Sequence, residues 1–494
     1  MTRITAASVF LLLVTSLSAQ SPADVTAKIR AEGLERSQVE RVFNTLTIDI
    51  GPRLTASPAH KRAVEFARAE LASYGLANVH TEPWQFGRGW SLEKLTLELV
   101  EPRYLPLIGY ADGWSAPTSS ELVATPLLIG GKSPEDVEGM RAQLKGAIVM
   151  TQPVLTNFVR KDRPQPSAPD YVPNSAAYAT SVGQRGGGGR GNTPTPAQRI
   201  AQTLRDAGAA AILKPSIGEH GTVFVTGRDG GPGAVPSVTL AAEHYNLIAE
   251  MLQAGRAPKV RVNVASKFYD ADGGNAYNVI AELPGTDPAL KDEVVMIGAH
   301  LDSWHTGTGA TDNADGSATV MEAMRILKAI GAQPRRTIRV ALWGGEEQGL
   351  LGSRAWVEQH LAGDGNRAAR EKFDVYFNID NGTGPIYGWY LQENEEVRPI
   401  FDGWLEPLKN VGVRKNTIEP VGSTDHLSFH NVGVPGFNPI QDYVNYDTRT
   451  HHTNMDTGDR VDINDIRQAA IVMATFAYNS ANLDRKIPRP KPRP

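Results

Sequence analysis

The sequence predicts an α/β fold: a mostly parallel, mixed sheet covered by helices on both faces, with a smaller domain inserted into it. Three observations carry that prediction. From about residue 270, near-continuous apolar segments (YNVIAELPG, EVVMIGA, TIRVALWGG, DVYFNID) alternate with helical patterns, as strands buried on both faces require. Between about 118 and 269 the texture changes to shorter strands and helices that read as a unit of their own. The chain of 494 residues is also too long for one ordinary core.

In chain order, MTRITAASVFLLLVTSLSAQ reads as a signal peptide over residues 1–20. Arg3 supplies the positive flank, Val9–Leu17 the apolar run and Ser16–Ala19 the small residues of a cleavage region. Residues 24–75 follow as helices with a break at TIDIGPRLTASP, after which Ser57-Pro58 opens a second helix that ends at Gly75. VHTEPWQF and LEKLTLELVEP are strands. In the next block, LVATPLLIG, GAIVMTQ and AAILKPS are strands separated by helices over SPEDVEGMRAQLK, TPAQRIAQTLRDAG and AEHYNLIAEMLQAG. Within it, residues 160–196 are so rich in Pro, Gly and Ser that they read as a long mobile loop, with its GGGG run a spacer. The last region adds a helix from Ala314, one around SRAWVEQHL, and a final helix over INDIRQAAIVMATFAYNSAN. The predicted organisation is a discontinuous catalytic domain over 21–117 and 270–483, an inserted domain over 118–269, and an extended, disordered tail over 484–494.

Composition narrows the function. Fifty basic residues against 54 acidic ones give a net charge of −4, which argues against a nucleic-acid binder. The chain has no cysteine, so disulfides are excluded and a bound metal must be held by His and carboxylates. No segment after the leader is long and apolar enough to span a bilayer, so the mature protein is expected to be secreted or periplasmic.

The chemistry gathers at predicted strand ends. EVVMIGA runs into His300-Leu301-Asp302, TIRVALWGG into Glu346-Glu347, DVYFNI into Asp380, and GVPGFNPIQDY leads toward His451-His452. Open α/β sheets bind ligands at the carboxyl ends of their strands. Each of these pieces alone has a bland reading as cap, solvated helix turn or loop; together at successive strand ends they point to a metal centre. His300 and Asp302 lie two apart on extended chain and point the same way, which places Asp302 to accept the second ring N–H of a metal-bound His300. Of the adjacent Glu346 and Glu347, one can ligate while the other faces a water as general base. Asp312, at the start of the next helix, can bridge two ions, and Asp380 with a His near 452 would complete two sites. Imidazole and carboxylate without thiolate suit catalytic Zn²⁺, and paired ions suit amide hydrolysis.

The motifs GAHLDSW…GATDNADGSA, WGGEEQGLLGS, NIDNGTG, GSTDHLSFHNVGVPG and HHTNMDT, with the earlier GPRLTASPAHKRAVEFA, resemble the co-catalytic zinc exopeptidases, in their carboxypeptidase Q-like branch. The resemblance covers most of the mature chain, and residues 118–268 resemble the protease-associated domain inserted in such enzymes. It implies two Zn²⁺ ions per chain, His300 and Asp380 at one, Glu347 and His452 at the other, and Asp312 between them. It implies Glu346 as general acid/base and a cis peptide between Asp312 and Asn313, and Asp302, placed by its spacing behind His300, is the second catalytic candidate. His452 rather than His451 fits the family's His-Thr-x-x-Asp pattern through Asp456. Asp425 and His426 fall where the family has substrate-pocket residues, although a helix cap for HLSFHN explains them equally well. His305 reads as loop structure.

The expected activity is therefore that of a secreted zinc exopeptidase acting on short peptides and dipeptides, with a homodimer as the family precedent. Asp425, Asp442 and Arg449 offer groups for either peptide end, so aminopeptidase, carboxypeptidase and dipeptidase polarity all stay open. Two enzyme alternatives are a glutaminyl cyclase-like enzyme with one zinc and an amidohydrolase with a separate dimerisation domain. The latter spaces its His and bridging Asp more widely than the twelve positions here. A metal-free, receptor-like binding protein is the non-enzyme alternative, and the intact ligand set argues against it.

Overall fold

The computed structural model describes residues 22–168, 194–380 and 382–490. The leader, most of the 160–196 stretch with its GGGG run, and the last four residues lie outside the described residues.

A seven-stranded sheet forms the centre. Its strands are β1 (Ala77–Gln85), β2 (Asn275–Leu283), β3 (Val294–His300), β4 (Thr337–Trp343), β5 (Phe373–Asn378), β6 (Thr383–Tyr390) and β7 (Gly436–Asp442), in the spatial order β1-β2-β4-β3-β5-β7-β6. The middle of the sheet is parallel (β4/β3, β3/β5, β5/β7), and both flanks are antiparallel. Every residue of β4 but Arg339, and every residue of β5, is buried, as expected for strands covered on both faces.

One face carries the helices Pro22–Glu35, Val39–Asn44, Pro58–Ser73, Asp315–Ala329 and Ile463–Asn482, whose apolar sides share one core with the sheet. The other face packs Trp356 and Phe429, from Leu351–His360 and His426–His430, against Met296, Trp343 and Tyr376. Helix Pro58–Ser73 begins as its sequence demands: Pro58 takes the first turn and the Ser57 hydroxyl accepts from the His60 amide at 3.1 Å.

Two smaller sheets stand beside this centre. Strands Gly89–Glu101 and Lys259–Tyr269 pair antiparallel over their whole lengths and bring Leu105–Pro106 and Leu122–Ala124 to their edges. Strands from both sides of residue 118 thus join in one sheet. The third sheet, of five short strands between Gly109 and Leu240, shares a core with the second through Trp90, Leu99, Leu213, Val238 and Tyr245. Trp304, from the loop after β3, enters the same core.

Two segments are more fixed than their composition suggests. Residues 160–168 open the Pro/Gly-rich stretch, yet Asp162 accepts from the amides of Asn445 and Thr448, and Arg163 forms a two-toothed pair with Asp447. The tail is also held, through residue 490, and is not disordered there. Ile487 is buried and its amide donates to Asp374, Lys486 pairs with Glu293, and Arg489 donates to the Phe373 and Arg370 carbonyls. Partners contributed by distant elements, not local propensity, order both segments.

Candidate metal centre

Parallel register puts the functional strand ends level. His300, the last residue of β3, lies opposite Trp343, the last of β4, and Gly298 lies opposite Asn378, the last of β5. Glu346 and Glu347 therefore follow β4, and Asp380 follows β5, at one edge of the sheet. Asp312 arrives from the turn before helix Asp315–Ala329, and its peptide bond to Asn313 is cis. The Asn313 amide side chain ties that turn to the end of β5 by donating to the Ile379 carbonyl at 2.9 Å.

The side chains converge. His300 Nε2 lies 3.2 Å from Asp312 Oδ1 and 3.6 Å from Asp380 Oδ1. The other Asp312 oxygen lies 3.4 Å from His452 Nε2, which is 2.8 Å from Glu347 Oε2. Asp312 thus stands between two donor groups, His300 with Asp380 and His452 with Glu347. His451 also brings a ring nitrogen into the neighbourhood of Asp312 and His452. Its ring is stacked on Tyr446 at 4.7 Å, and the Glu347 carboxylate is the group that reaches His452.

Polar satisfaction shows what this arrangement lacks. His300 Nε2, Asp312 Oδ2 and Glu347 Oε1 are buried and make no hydrogen bond. Orphaned acceptors at one point cost several kcal/mol in a protein interior unless a cation sits among them. Nitrogen and carboxylate donors without sulfur fit zinc. Electrostatics agree. Burial pushes the Glu347 carboxyl well above the usual carboxylate range, and Asp312, Asp302 and Asp380 push it further. Glu346 is raised well above it too, by burial and then by Asp380, Asp425 and Glu347 against the pull of His300. Burial alone would lower the His300 imidazole, but Asp380, Asp302 and Asp312 outweigh it and hold the ring well above its ordinary value.

Asp302 behaves differently from the spacing argument. His300 Nδ1 lies 3.0 Å from the Asp302 backbone carbonyl, whereas the nearer carboxylate oxygen is 3.7 Å away. The carboxylate instead accepts from the Thr55 hydroxyl at 2.9 Å and from the amides of Glu346 at 3.2 Å and Glu347 at 3.4 Å. The chain turns at the end of β3, so backbone serves the imidazole while the side chain clamps the two-glutamate turn.

Asp425 and His426 lie in the same region and are fully buried. Asp425 stands at the N-cap position of helix His426–His430 but makes no capping hydrogen bond, and both its oxygens are unpartnered. Burial pushes its carboxyl up to about 7, against the pull of His300. The His426 ring sits between Gln392 and the Val421 carbonyl. Of the groups considered for a peptide terminus, Asp442 already accepts from Ser167 and Tyr387, and Arg449 donates to the Glu219 carbonyl and Thr222. His305 sits in its loop with Nε2 2.8 Å from the Ala111 carbonyl.

Sequence reasoning missed two residues beneath the site. Buried Arg53 donates to the carbonyls of Leu46, Gly51, Leu301, Thr308 and Gly309, lashing the loop after β3 to the N-terminal helices. His60 packs against Gly344, where an added Cβ would come within 3.0 Å of the ring. The motif GPRLTASPAH contained both residues, but nothing local marked them as buried. The connection between two strands of the third sheet also reaches the site: the Val225 amide donates to the His452 carbonyl at 2.9 Å, and Phe224 bridges to Thr453. Trp304, Asp312, Glu347, His452 and Thr453 line a small cavity there.

Comparison with known proteins agrees with this geometry. Residues 278–477 match the model of peptidase family M28, a span that contains every proposed ligand. Carboxypeptidase Q of Bos taurus is 26% identical over 441 residues, covering 89% of this chain and 84% of that protein. The solved peptidase M28 precursor of Shewanella amazonensis superimposes with a TM-score of 0.71 at 27% identity, covering 95% of this chain and 99% of its own. The zinc aminopeptidase of Bacillus subtilis shares the fold, with a TM-score of 0.59 at 20% identity over 91% of this chain and 96% of its own. Residues 278–477 are thus similar to peptidase family M28, and the chain is a metallo-exopeptidase.

Proposed function

We propose that the chain is an exported di-zinc exopeptidase that hydrolyses dipeptides and other short peptides with free ends. The observation that carries this reading is the convergence of three buried, unbonded donor atoms, on His300, Asp312 and Glu347, beside Asp380 and His452. His300 with Asp380 would hold one ion, Glu347 with His452 the other, and Asp312 would join them. When bound, such a pair polarises the scissile carbonyl and makes water acidic enough to attack near neutral pH.

The protein's own groups do the rest. Glu346 takes the proton of the attacking water and returns it to the leaving amine. Its raised proton affinity suits both halves of that transfer. Asp302 fixes where Glu346 points by holding the Glu346 and Glu347 amides. The backbone carbonyl of Asp302 accepts His300 Nδ1–H and so leaves Nε2 as the ligating atom.

Carboxypeptidase Q and aminopeptidases among the relatives support action at peptide ends. The apolar leader at residues 1–20 supports export, and among the described residues no helix is long and apolar enough to cross a membrane. The test is a panel of one dipeptide in free, N-acetylated and C-amidated forms, followed by release of free amino acids. Hydrolysis of the free form with loss of activity on blocking either end is expected. Cyclisation of N-terminal Gln without hydrolysis, or no turnover by zinc-loaded protein, would overturn the proposal.

A further inference from the structure

We propose a second, structural cation site in the cavity between the first turns of helices Asp315–Ala329 and Ile463–Asn482 and the end of β7, built for a hard divalent ion such as Ca²⁺. The cavity is lined by Asp315, Thr319, Gln441 and Asp465 among others. None of these residues belongs to the catalytic donor set.

The decisive group is Gln441. It is 3% exposed, and its Nε2 donates to the Gly384 carbonyl at 2.9 Å, which fixes the orientation of the amide. The remaining atom, Oε1, is buried at the cavity without a hydrogen bond. A buried amide oxygen left unpaired costs about 1–3 kcal/mol, so something other than protein is expected to meet it.

The two carboxylates define the charge of that partner. Asp315 is 7% exposed, and one of its oxygens accepts from the Gly316 amide at 2.7 Å. Asp465 is half-buried. Among the described residues neither forms an ion pair. The charged groups that face Asp315 are Asp456, Asp312 and Asp380, and those that face Asp465 are Asp462 and Asp442. Buried Arg53 answers Asp456 and Asp312, but among the described residues no Lys or Arg pairs with Asp315 or Asp465. Water would satisfy the Gln441 oxygen but leave the carboxylates uncompensated, whereas a cation satisfies all three.

Donor type selects the ion. Two carboxylates, an amide oxygen and the Thr319 hydroxyl are hard oxygen ligands, with neither thiolate nor imidazole, a set that suits Ca²⁺ and not zinc. An ion here would tie together the helix that begins three residues after Asp312, the strand that leads toward His452, and the C-terminal helix.

The experiment is calorimetric titration of CaCl2 into the zinc-saturated full-length protein, with thermal unfolding in parallel. Zinc saturation keeps the catalytic donors occupied. One saturable site per chain is expected, with a Kd of roughly 10⁻⁴ M, as in extracellular calcium modules, and a rise in Tm. Asp465→Asn is expected to weaken binding at least about tenfold through loss of ligand charge, and Gln441→Leu to weaken it with zinc content unchanged. Asp465 is partly exposed, so its variant reads the site even if Gln441→Leu does not fold. No saturable uptake by the wild type, uptake that Asp465→Asn leaves unchanged, or calcium-driven release of zinc would each overturn the site.

Discussion

His60 offers a quantitative test of how the site is buried. Both ring nitrogens are buried without a hydrogen bond, and burial pushes the imidazole down from 6.5 to about 4, with Asp302 pulling weakly the other way. A histidine whose folded pKa lies below its unfolded value binds more protons when unfolded across that window. Stability is therefore fully present above pH 6.5 and is lost as pH falls toward 4. For those two values the linkage at pH 5 amounts to about 2 kcal/mol, and at pH 7 to about 0.2 kcal/mol. His60→Leu removes the titration while sacrificing no hydrogen bond. Measured by urea unfolding of metal-stripped protein, the variant is expected to gain about 2 kcal/mol relative to wild type on going from pH 7 to pH 5. A stability difference between the two proteins that stays the same at both pH values would show that His60 is not held neutral, and would refute the burial argument.

Three further substitutions probe the centre and its supports. Glu346→Gln keeps the shape of the side chain but cannot take a proton, so kcat is expected to fall by about 10²–10⁴ with zinc content unchanged by elemental analysis. Asp302→Asn leaves one amide of the two-glutamate turn without its carboxylate; kcat is expected to drop about 10–100-fold while the far-ultraviolet dichroism stays that of the wild type. Arg163→Ala removes the guanidinium that pairs with the Asp447 carboxylate, 4% exposed, and lies over the Tyr443 and Tyr446 rings, and is expected to cost about 3 kcal/mol in denaturant unfolding. An unchanged midpoint there would mean that residues 160–168 are not anchored as described.

The parts of the site that the sequence disclosed are those where local pattern and function coincide. β3, β4 and β5 are apolar runs that end abruptly in His or carboxylate, so His300, Glu346, Glu347 and Asp380 could be placed from the strands alone. Asp312 could be read from its place at the start of the next helix, whereas the choice of His452 over His451 came from family resemblance, because a loop has no periodicity to read. Arg53 was invisible for a different reason: its partners include Leu301 and Gly309, about 250 positions away, and a single Arg beside Gly and Pro looks like surface. The same holds for the tail, whose Pro-rich, basic composition reads as disordered until Asp374, Glu293 and a pocket for Ile487 are known. Spacing also aimed Asp302 at the wrong hydrogen. Extended geometry predicts which way a side chain leaves the backbone, not which donors a folded chain brings to meet it.

Zinc stoichiometry tests the central claim most directly. Protein stripped with chelator, reloaded with zinc and desalted should carry two ions per chain. His452→Ala should keep only one, because the His300–Asp380 pair remains intact. One ion in the wild type, or two retained without the His452 imidazole, would contradict the paired centre.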